Sequence, residues 1–259
     1  MAVRGDGTSR IGKERYNKQG CLMKIIEYNG YNDVLVEFQD EYKYKTKVNY
    51  NNFKTGAVKN LYYPSVYGVG IIGDIYPVGE NGKQKKEYKV WQTMLQRCFD
   101  PKWRQDNPAY EDVTCSEEWL FYPDFYDFLH SQSNFDKWNL EDGWHIDKDI
   151  IDKNAKMYCK EFSELVNRRV NALFIKRKSR RGEYPIGVHK HKNKFAAECN
   201  YLDTKKHLGY YDTPEDAFYA YKEYKEALIK RVADEEYALG NITERCRDAM
   251  YAYEVEITD

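Results

Sequence analysis

Apolar and polar residues alternate along the first part of the chain, and this pattern predicts β-strands. The segments "DVLVEFQD" (residues 33–40) and "YKTKVNY" (44–50) have a period of two, which is typical of strands that bury one face. The turn "YNGYND" (28–33) and the segment "FKTGAVKN" (53–60) separate the strands of this region, and "GVGIIGD" (68–74) lies near its end. The pattern predicts a small β-rich module over residues 1–80.

Helical spacing of apolar residues replaces this alternation further along. The segment "YKVWQTMLQRCF" (88–99) spaces its apolar residues as a helix does, and Pro101 is expected to stop that helix. The segment "CKEFSELVNRRVNALFIKRK" (159–178) predicts a short strand and then a helix that carries Asn167 and Asn171 on one face. These elements are assigned to a central module over residues 81–180.

The carboxyl-terminal segment reads as three strands and a helix. The segment "YPIGVHKHKNKFAAECN" (184–200) predicts two strands, and "KKHLGYY" (205–211) predicts a third. A helix should follow, with Thr213 as N-cap, Pro214 at its first position and Asp216 at its third. Its apolar residues form a stripe that can cover one sheet face: Ala217, Ala220, Tyr221, Tyr224 and Leu228. We therefore expect an α+β protein whose last module, residues 181–259, is a three-stranded antiparallel sheet packed on a helix.

The distribution of charge adds a candidate function. The net charge of the 259 residues is only -1, but residues 98–152 carry 4 Lys and Arg against 14 Asp and Glu, whereas residues 168–210 carry 12 against 3. A local excess of cations is the electrostatic footprint of a polyanion binder. Within it, Arg177, Lys178, Arg180 and Arg181 are predicted to contact DNA phosphates, although a solvated loop would have the same composition.

Composition also restricts the location of the protein. No apolar run approaches the roughly 20 residues of a membrane span, and the first residues lack the apolar segment of a signal peptide. We expect a cytoplasmic protein without a membrane partner.

The segment "DGWHIDKDIID" (142–152) is the candidate chemical site. On an extended strand, His145, Asp147 and Asp149 would share one face, and Lys148 would lie on the other face between two isoleucines. Such a face could bind a cation. An ordinary exposed strand, with its acids paired to nearby lysines, has the same pattern.

Residues 184–224 resemble the DNA-binding domain of plant ethylene-response factors, also called the Apetala-two domain. The matching segments are Gly187 with Val188, "KFAAE" (194–198), "LGYYDTPEDA" (208–217) and Ala220 with Tyr221. The resemblance implies that the three-stranded sheet enters the major groove of double-stranded DNA. The residues facing the groove would be His189, His191, Lys194 and Glu198.

The central module resembles the HNH nuclease core of phage homing-like endonucleases, a ββα fold. The resemblance rests on "HIDKDI" (145–150), "KNAKMY" (153–158) and "NRRVN" (167–171). It implies a Mg²⁺ or Mn²⁺ ion held by Asp147 and by Asn171 or Asn167, with Asn154 as the orienting residue. The position of the general base falls on Lys148, and His145 could serve instead.

These expectations combine into a phage-type DNA-binding protein that cuts or nicks DNA with a metal ion. Two alternatives remain open. The protein could bind DNA on a nuclease fold that has lost its activity, or it could be a phage inhibitor that binds a host defence protein. Metal binding separates the first two functions, and a pull-down from host lysate with and without nuclease treatment separates both from the third.

Overall fold

The computed structural model describes residues 10–175 and 183–259. Backbone contacts divide the chain into two compact units, Met1–Asp106 with Glu117–Tyr126, and Asn107–Ser116 with Asp127–Asp259. Helices and strands alternate irregularly and the larger sheets are antiparallel, so the predicted α+β class is confirmed. The module boundaries expected at residues 80 and 180 stay predictions.

A four-stranded antiparallel sheet lies in the first unit, in the order β1-β2-β3-β4. Its strands are β1 (Glu14–Tyr16), β2 (Leu22–Gly30), β3 (Asp33–Phe38) and β4 (Lys45–Val48). Alternate residues of β2 and β3 are buried, which confirms the period of two in "DVLVEFQD". These strands and the segment after β4 contribute to one small core. It contains Met23, Ile25, Val34, Val36, Phe38, Phe53 and Val58.

Three helices and a two-stranded ribbon follow the sheet in the first unit. They are α1 (Tyr50–Thr55), β5 (Gly79–Glu80), β6 (Lys83–Gln84), α2 (Lys86–Phe99) and α3 (Pro101–Asp106). The helix predicted over 88–99 is thus present as α2, and its apolar side is buried. Pro101 ends α2 as expected but also begins α3, because proline is well tolerated at the first position of a helix.

The remaining elements follow in chain order. They are β7 (Thr114–Cys115), α4 (Tyr122–Ser131), α5 (Phe135–Leu140), β8 (Trp144–Asp147), β9 (Met157–Tyr158), β10 (Glu164–Asn167), α6 (Arg168–Phe174), β11 (Val188–His191), β12 (Lys194–Tyr201), β13 (Thr204–Tyr211), α7 (Pro214–Ala238) and α8 (Glu244–Ala252). Strand β8 pairs antiparallel with β10, and α6 follows β10 directly. We call β8, β10 and α6 the ββα segment.

One hydrophobic core joins the ββα segment to the carboxyl-terminal elements. It contains Val166 of β10 and Val170 of α6 together with Cys199 of β12, Ile229 of α7 and Met250 of α8. The sheet β11-β12-β13 therefore has one face packed on α7, as predicted. The ββα segment and this sheet are stabilised by the same set of buried side chains.

Helices α7 and α8 are held by caps and by burial of an apolar side. The Thr213 hydroxyl accepts a hydrogen bond from the amide of Asp216 at 3.1 Å, which confirms the predicted N-cap. The helix extends to Ala238, and Gly240, with φ of +65°, lies in the turn before α8. Within the described ranges, no helix combines the length and the apolar composition that crossing a membrane requires.

Candidate nucleic-acid interface

The sheet β11-β12-β13 has two different faces because side chains alternate along each strand. Val188, Cys199 and Leu208 point into the core shared with α7. The register pairs His191 with Lys194, and Glu198 with His207, on the opposite side. We call this opposite side the outer face, which consists of His189, His191, Lys194, Ala196, Glu198, Asn200, Lys205, His207 and Tyr210.

The four residues expected to face DNA lie together on this outer face. His189, His191 and Lys194 are exposed, and Glu198 is half-buried in the middle of the face. Alternation along β12 therefore follows the predicted pattern, in which Lys194 and Glu198 share one side. Phe195, on the opposite side of β12, is half-buried: its ring packs against Tyr184, with centroids 5.3 Å apart, and under the Lys190 ammonium at 4.4 Å.

Glu198 is the centre of a cluster formed by one lysine and two histidines. Its carboxylate lies 2.5 Å from Nζ of Lys205, 3.7 Å from Nδ1 of His189 and 3.8 Å from Nδ1 of His207. Partial burial alone would raise the pKa of this carboxyl group. The hydrogen bond from Lys205 and the charges of the three neighbours outweigh that effect and hold the pKa below its ordinary value of 4.5. Glu198 is thus an ion-pair partner within the face.

Tyr210 adds an aromatic surface beside this cluster. Its ring is 51% exposed and lies between two imidazoles, with centroids 4.9 Å from His191 and 4.6 Å from His207. The two histidines come from the outer strands β11 and β13. Three of the five histidines of the chain therefore meet on one sheet face.

The outer face and its edges carry more positive than negative charge. Between residues 188 and 211 the chain has five lysines and two acidic residues, and one of those acids is Glu198. Lys194 also lies 3.2 Å from Asp212, a highly exposed carboxylate just beyond β13. Such exposed pairs contribute little to stability, so they can exchange for phosphate contacts at small cost.

Lys205, His207 and Tyr210 also lie on the outer face, although they were not among the residues predicted from the sequence. The signal was present in the alternation of "KKHLGYY", but the face of each residue depends on the register with β12. A β-bulge shifts that register between Ala197 and Glu198, so that His207, rather than Leu208, lies opposite Glu198. No periodic pattern in the sequence marks this bulge.

Part of the local excess of cations, residues 168–210, lies outside the described residues. Arg177, Lys178, Arg180 and Arg181 fall there, so their predicted phosphate contacts stay predictions. Arg169 belongs to the same excess of cations over residues 168–210, but it forms ion pairs within the protein. Its guanidinium contacts Glu235 at 2.6 Å and the buried Glu236 at 2.5 Å.

The alternation predicted for "DGWHIDKDIID" is present in the ββα segment. His145 and Asp149 are exposed and Asp147 is half-buried, while Ile146, Lys148 and Ile150 are buried. The strand itself ends at Asp147, whose carboxylate accepts a hydrogen bond from the amide of Asp149 at 2.8 Å and so forms a turn.

Lys148 is buried and makes two contacts within its own loop. Its ammonium donates to the carboxylate of Asp149 and, at 3.0 Å, to the carbonyl oxygen of Ala155. With these two acceptors, Lys148 closes the loop after β8. Its assignment to the position of the general base stays a prediction.

The asparagines of the predicted site differ in position. Asn154 is exposed in the loop after β8, and its amide donates to Asp152. Asn167 is the N-cap of α6 rather than a helical residue, which corrects the prediction that it shares a helix face with Asn171. Its side-chain amide also donates to Glu236 at 2.5 Å. Asn171 lies within α6 and is half-buried.

No group of three or more His, Cys, Asp or Glu side chains in the described ranges is arranged to hold a metal ion. Asp147 engaged in a turn and Asn167 engaged by Glu236 do not make a preformed site for Mg²⁺ or Mn²⁺. The metal ion stays a prediction, and no chemical step is derived through it. No protein-family model, curated protein or solved structure matches this chain significantly.

Proposed function

We propose that this protein binds double-stranded DNA through the outer face of the sheet β11-β12-β13. The observation that carries the proposal is the convergence of Lys194, Lys205, His189, His191 and His207 on the one sheet face that α7 leaves uncovered. These side chains are exposed, and their donors suit phosphate oxygens and base edges.

The dimensions of the sheet agree with a major groove. Three strands span about 10 Å, because neighbouring strands are about 4.8 Å apart, and the groove is about 12 Å wide. The strand side chains then extend toward the base pairs. Lys205 lies on the edge strand β13 and Lys194 at the start of the central strand β12, and both are expected to contact phosphates.

Salt-dependent affinity tests the proposal. We expect the intact protein to bind a short duplex, with an affinity that falls steeply as salt rises. Lys194→Ala and Lys205→Ala should each weaken binding and reduce the slope of log affinity against log salt by about 0.9. Lys230→Ala is the matched control, because Lys230 is an exposed lysine on α7, away from the outer face.

Two results would contradict this function. One is the absence of duplex binding at low salt, and the other is an equal effect of Lys230→Ala and Lys194→Ala. In the first case the alternative partner, a host defence protein, becomes the better hypothesis. A cytoplasmic location, where a DNA-binding protein would meet its ligand, belongs to the same proposal.

DNA cutting by the ββα segment is a second candidate. It is favoured by the antiparallel pairing of β8 with β10, the helix α6 that follows, and the side that His145 and Asp147 share on β8. It is disfavoured by the contacts that engage Lys148 with Asp149 and with the carbonyl oxygen of Ala155. Nicking of supercoiled plasmid with Mn²⁺ or Mg²⁺, lost on Asp147→Ala and kept on Asp142→Ala, would support cutting. Absence of nicking with either ion would leave DNA binding alone.

A further inference from the structure

The first unit contains three neighbouring tyrosines, two of which contact a cation. Tyr28 lies on β2, Tyr31 in the turn between β2 and β3, and Tyr50 at the start of α1. The guanidinium carbon of Arg10 lies 4.8 Å from the ring centroid of Tyr28 and 4.2 Å from that of Tyr50. The same guanidinium donates a hydrogen bond to the Tyr28 hydroxyl.

The geometry of the rings is that of a cage. Tyr28 and Tyr50 are nearly perpendicular, at 87° with centroids 6.0 Å apart, and Tyr31 stands 6.3 Å from Tyr50 at 62°. The Arg10 guanidinium lies over the faces of both Tyr28 and Tyr50, where the negative charge of the ring face attracts a cation.

The cage is fixed by the fold rather than by Arg10. The amide of Tyr50 donates to the carbonyl oxygen of Tyr31 at 2.7 Å, which joins α1 to the turn between β2 and β3. Tyr28 and Tyr50 both pack against the core of the four-stranded sheet. Tyr31, by contrast, is 54% exposed, so one wall of the cage opens to solvent.

We propose that Tyr28, Tyr31 and Tyr50 form a binding site for an arginine side chain of a protein partner, and that Arg10 is an internal occupant which the partner displaces. Arg10 shows that a guanidinium fits between the rings. It precedes the first strand, on a segment joined to the sheet by the hydrogen bond from the amide of Gly12 to the carbonyl oxygen of Ile25 at 2.8 Å. This activity is independent of DNA binding by the second unit.

An internal occupant lowers the apparent affinity for an external ligand, because only the fraction of molecules with an open cage can bind. Removing Arg10 should therefore tighten binding of a short peptide with one arginine by about tenfold. Calorimetric titration of the intact protein measures this. Arg15→Ala is the matched control, because Arg15 is an exposed arginine on β1 and makes no contribution to the cage.

The chemistry of the ligand is tested with a citrulline peptide, which keeps the shape of arginine but lacks its charge. We expect Arg10→Ala protein to bind the arginine peptide at least about tenfold more tightly than the citrulline peptide. Adding Tyr50→Ala should remove this preference, whereas Tyr16→Ala, a change at another exposed tyrosine, should leave it intact. A lysine or trimethyl-lysine peptide that binds more tightly would overturn the choice of arginine.

Folding of each variant is checked by its thermal melt. If Arg10→Ala does not fold, Arg10→Gln or the wild-type protein serves for the same comparison of peptides. Failure of a folded protein to distinguish arginine from citrulline would overturn the proposal. Arg10 would then be a clamp that joins the start of the chain to the sheet.

Discussion

The outer face and the ββα segment contain the same types of residue but use them differently. On the outer face, Lys194 and His191 are exposed on adjacent strands. In the ββα segment, Lys148 is buried against the carbonyl oxygen of Ala155, and Arg169 binds the buried Glu236. Charge in the sequence thus indicates a candidate binding surface only where the charged side chains stay exposed, as Lys194 does although it pairs with Asp212.

The largest effect is expected in the buried network beneath the ββα segment. The Glu236 carboxylate is fully buried and accepts hydrogen bonds from Arg169, Asn167 and Asn241. Glu236→Ala should lower the free energy of unfolding by about 3 to 5 kcal/mol, because it leaves the partners of a buried carboxylate unpaired. Denaturant unfolding measures the change.

Glu235→Ala is the control for that prediction. Glu235 binds the same guanidinium from an exposed position, so its removal should cost about 0 to 1 kcal/mol. If both substitutions have the same small effect, the Glu236 network does not hold the segment together, and the contrast with the outer face fails.

Lys148 gives the next largest effect. Lys148→Ala removes the donor to Ala155 and should lower the free energy of unfolding by about 1 to 3 kcal/mol, because the carbonyl oxygen loses its hydrogen bond. Lys148→His should be destabilising as well and should not raise plasmid nicking. Faster nicking by this variant would show that the position retains a place in a catalytic site.

Glu198 tests how charge on the outer face affects duplex affinity. Glu198→Gln removes the negative charge between Lys205, His189 and His207, so duplex affinity should rise by about threefold to tenfold, as expected for one unfavourable charge among phosphates. A fall in affinity would indicate that Glu198 itself contacts DNA, for example by accepting from a cytosine amino group.

The same variant should change the dependence of stability on pH. Folding lowers the pKa of Glu198, so its ionised form contributes stability that is fully present above the ordinary pKa of 4.5 and is lost as pH falls through the lower folded value. The difference in Tm between wild type and Glu198→Gln should therefore be present above about pH 4.5 and shrink as pH falls below that value. A constant difference across this range would contradict the ion-pair assignment.

Local rules predicted the elements well and the partners of polar residues poorly. The period of two in β3 and the N-cap at Thr213 depend on neighbouring residues, and both are present. Asn167 caps α6 through a local hydrogen bond from the amide of Val170, but its second contact, with Glu236, depends on a residue far along the chain. Burial of Lys148 likewise depends on how its loop closes on Ala155, which no pattern around Lys148 specifies.

The smallest effect on stability and on duplex affinity is expected at Tyr210, whose ring is exposed but contacts two imidazoles. Within the outer face, the ring of Tyr210 contacts only the imidazoles of His191 and His207. Tyr210→Ala should therefore change the free energy of unfolding by less than about 1 kcal/mol. Duplex affinity should fall by about twofold to threefold, since a paired base offers an edge but no ring face for stacking. Tyr219→Ala, at an exposed tyrosine on α7, should leave affinity unchanged. If Tyr210→Ala instead weakens binding of a single strand by about tenfold or more, while Tyr219→Ala does not, stacking on unpaired bases is the main contact of this face.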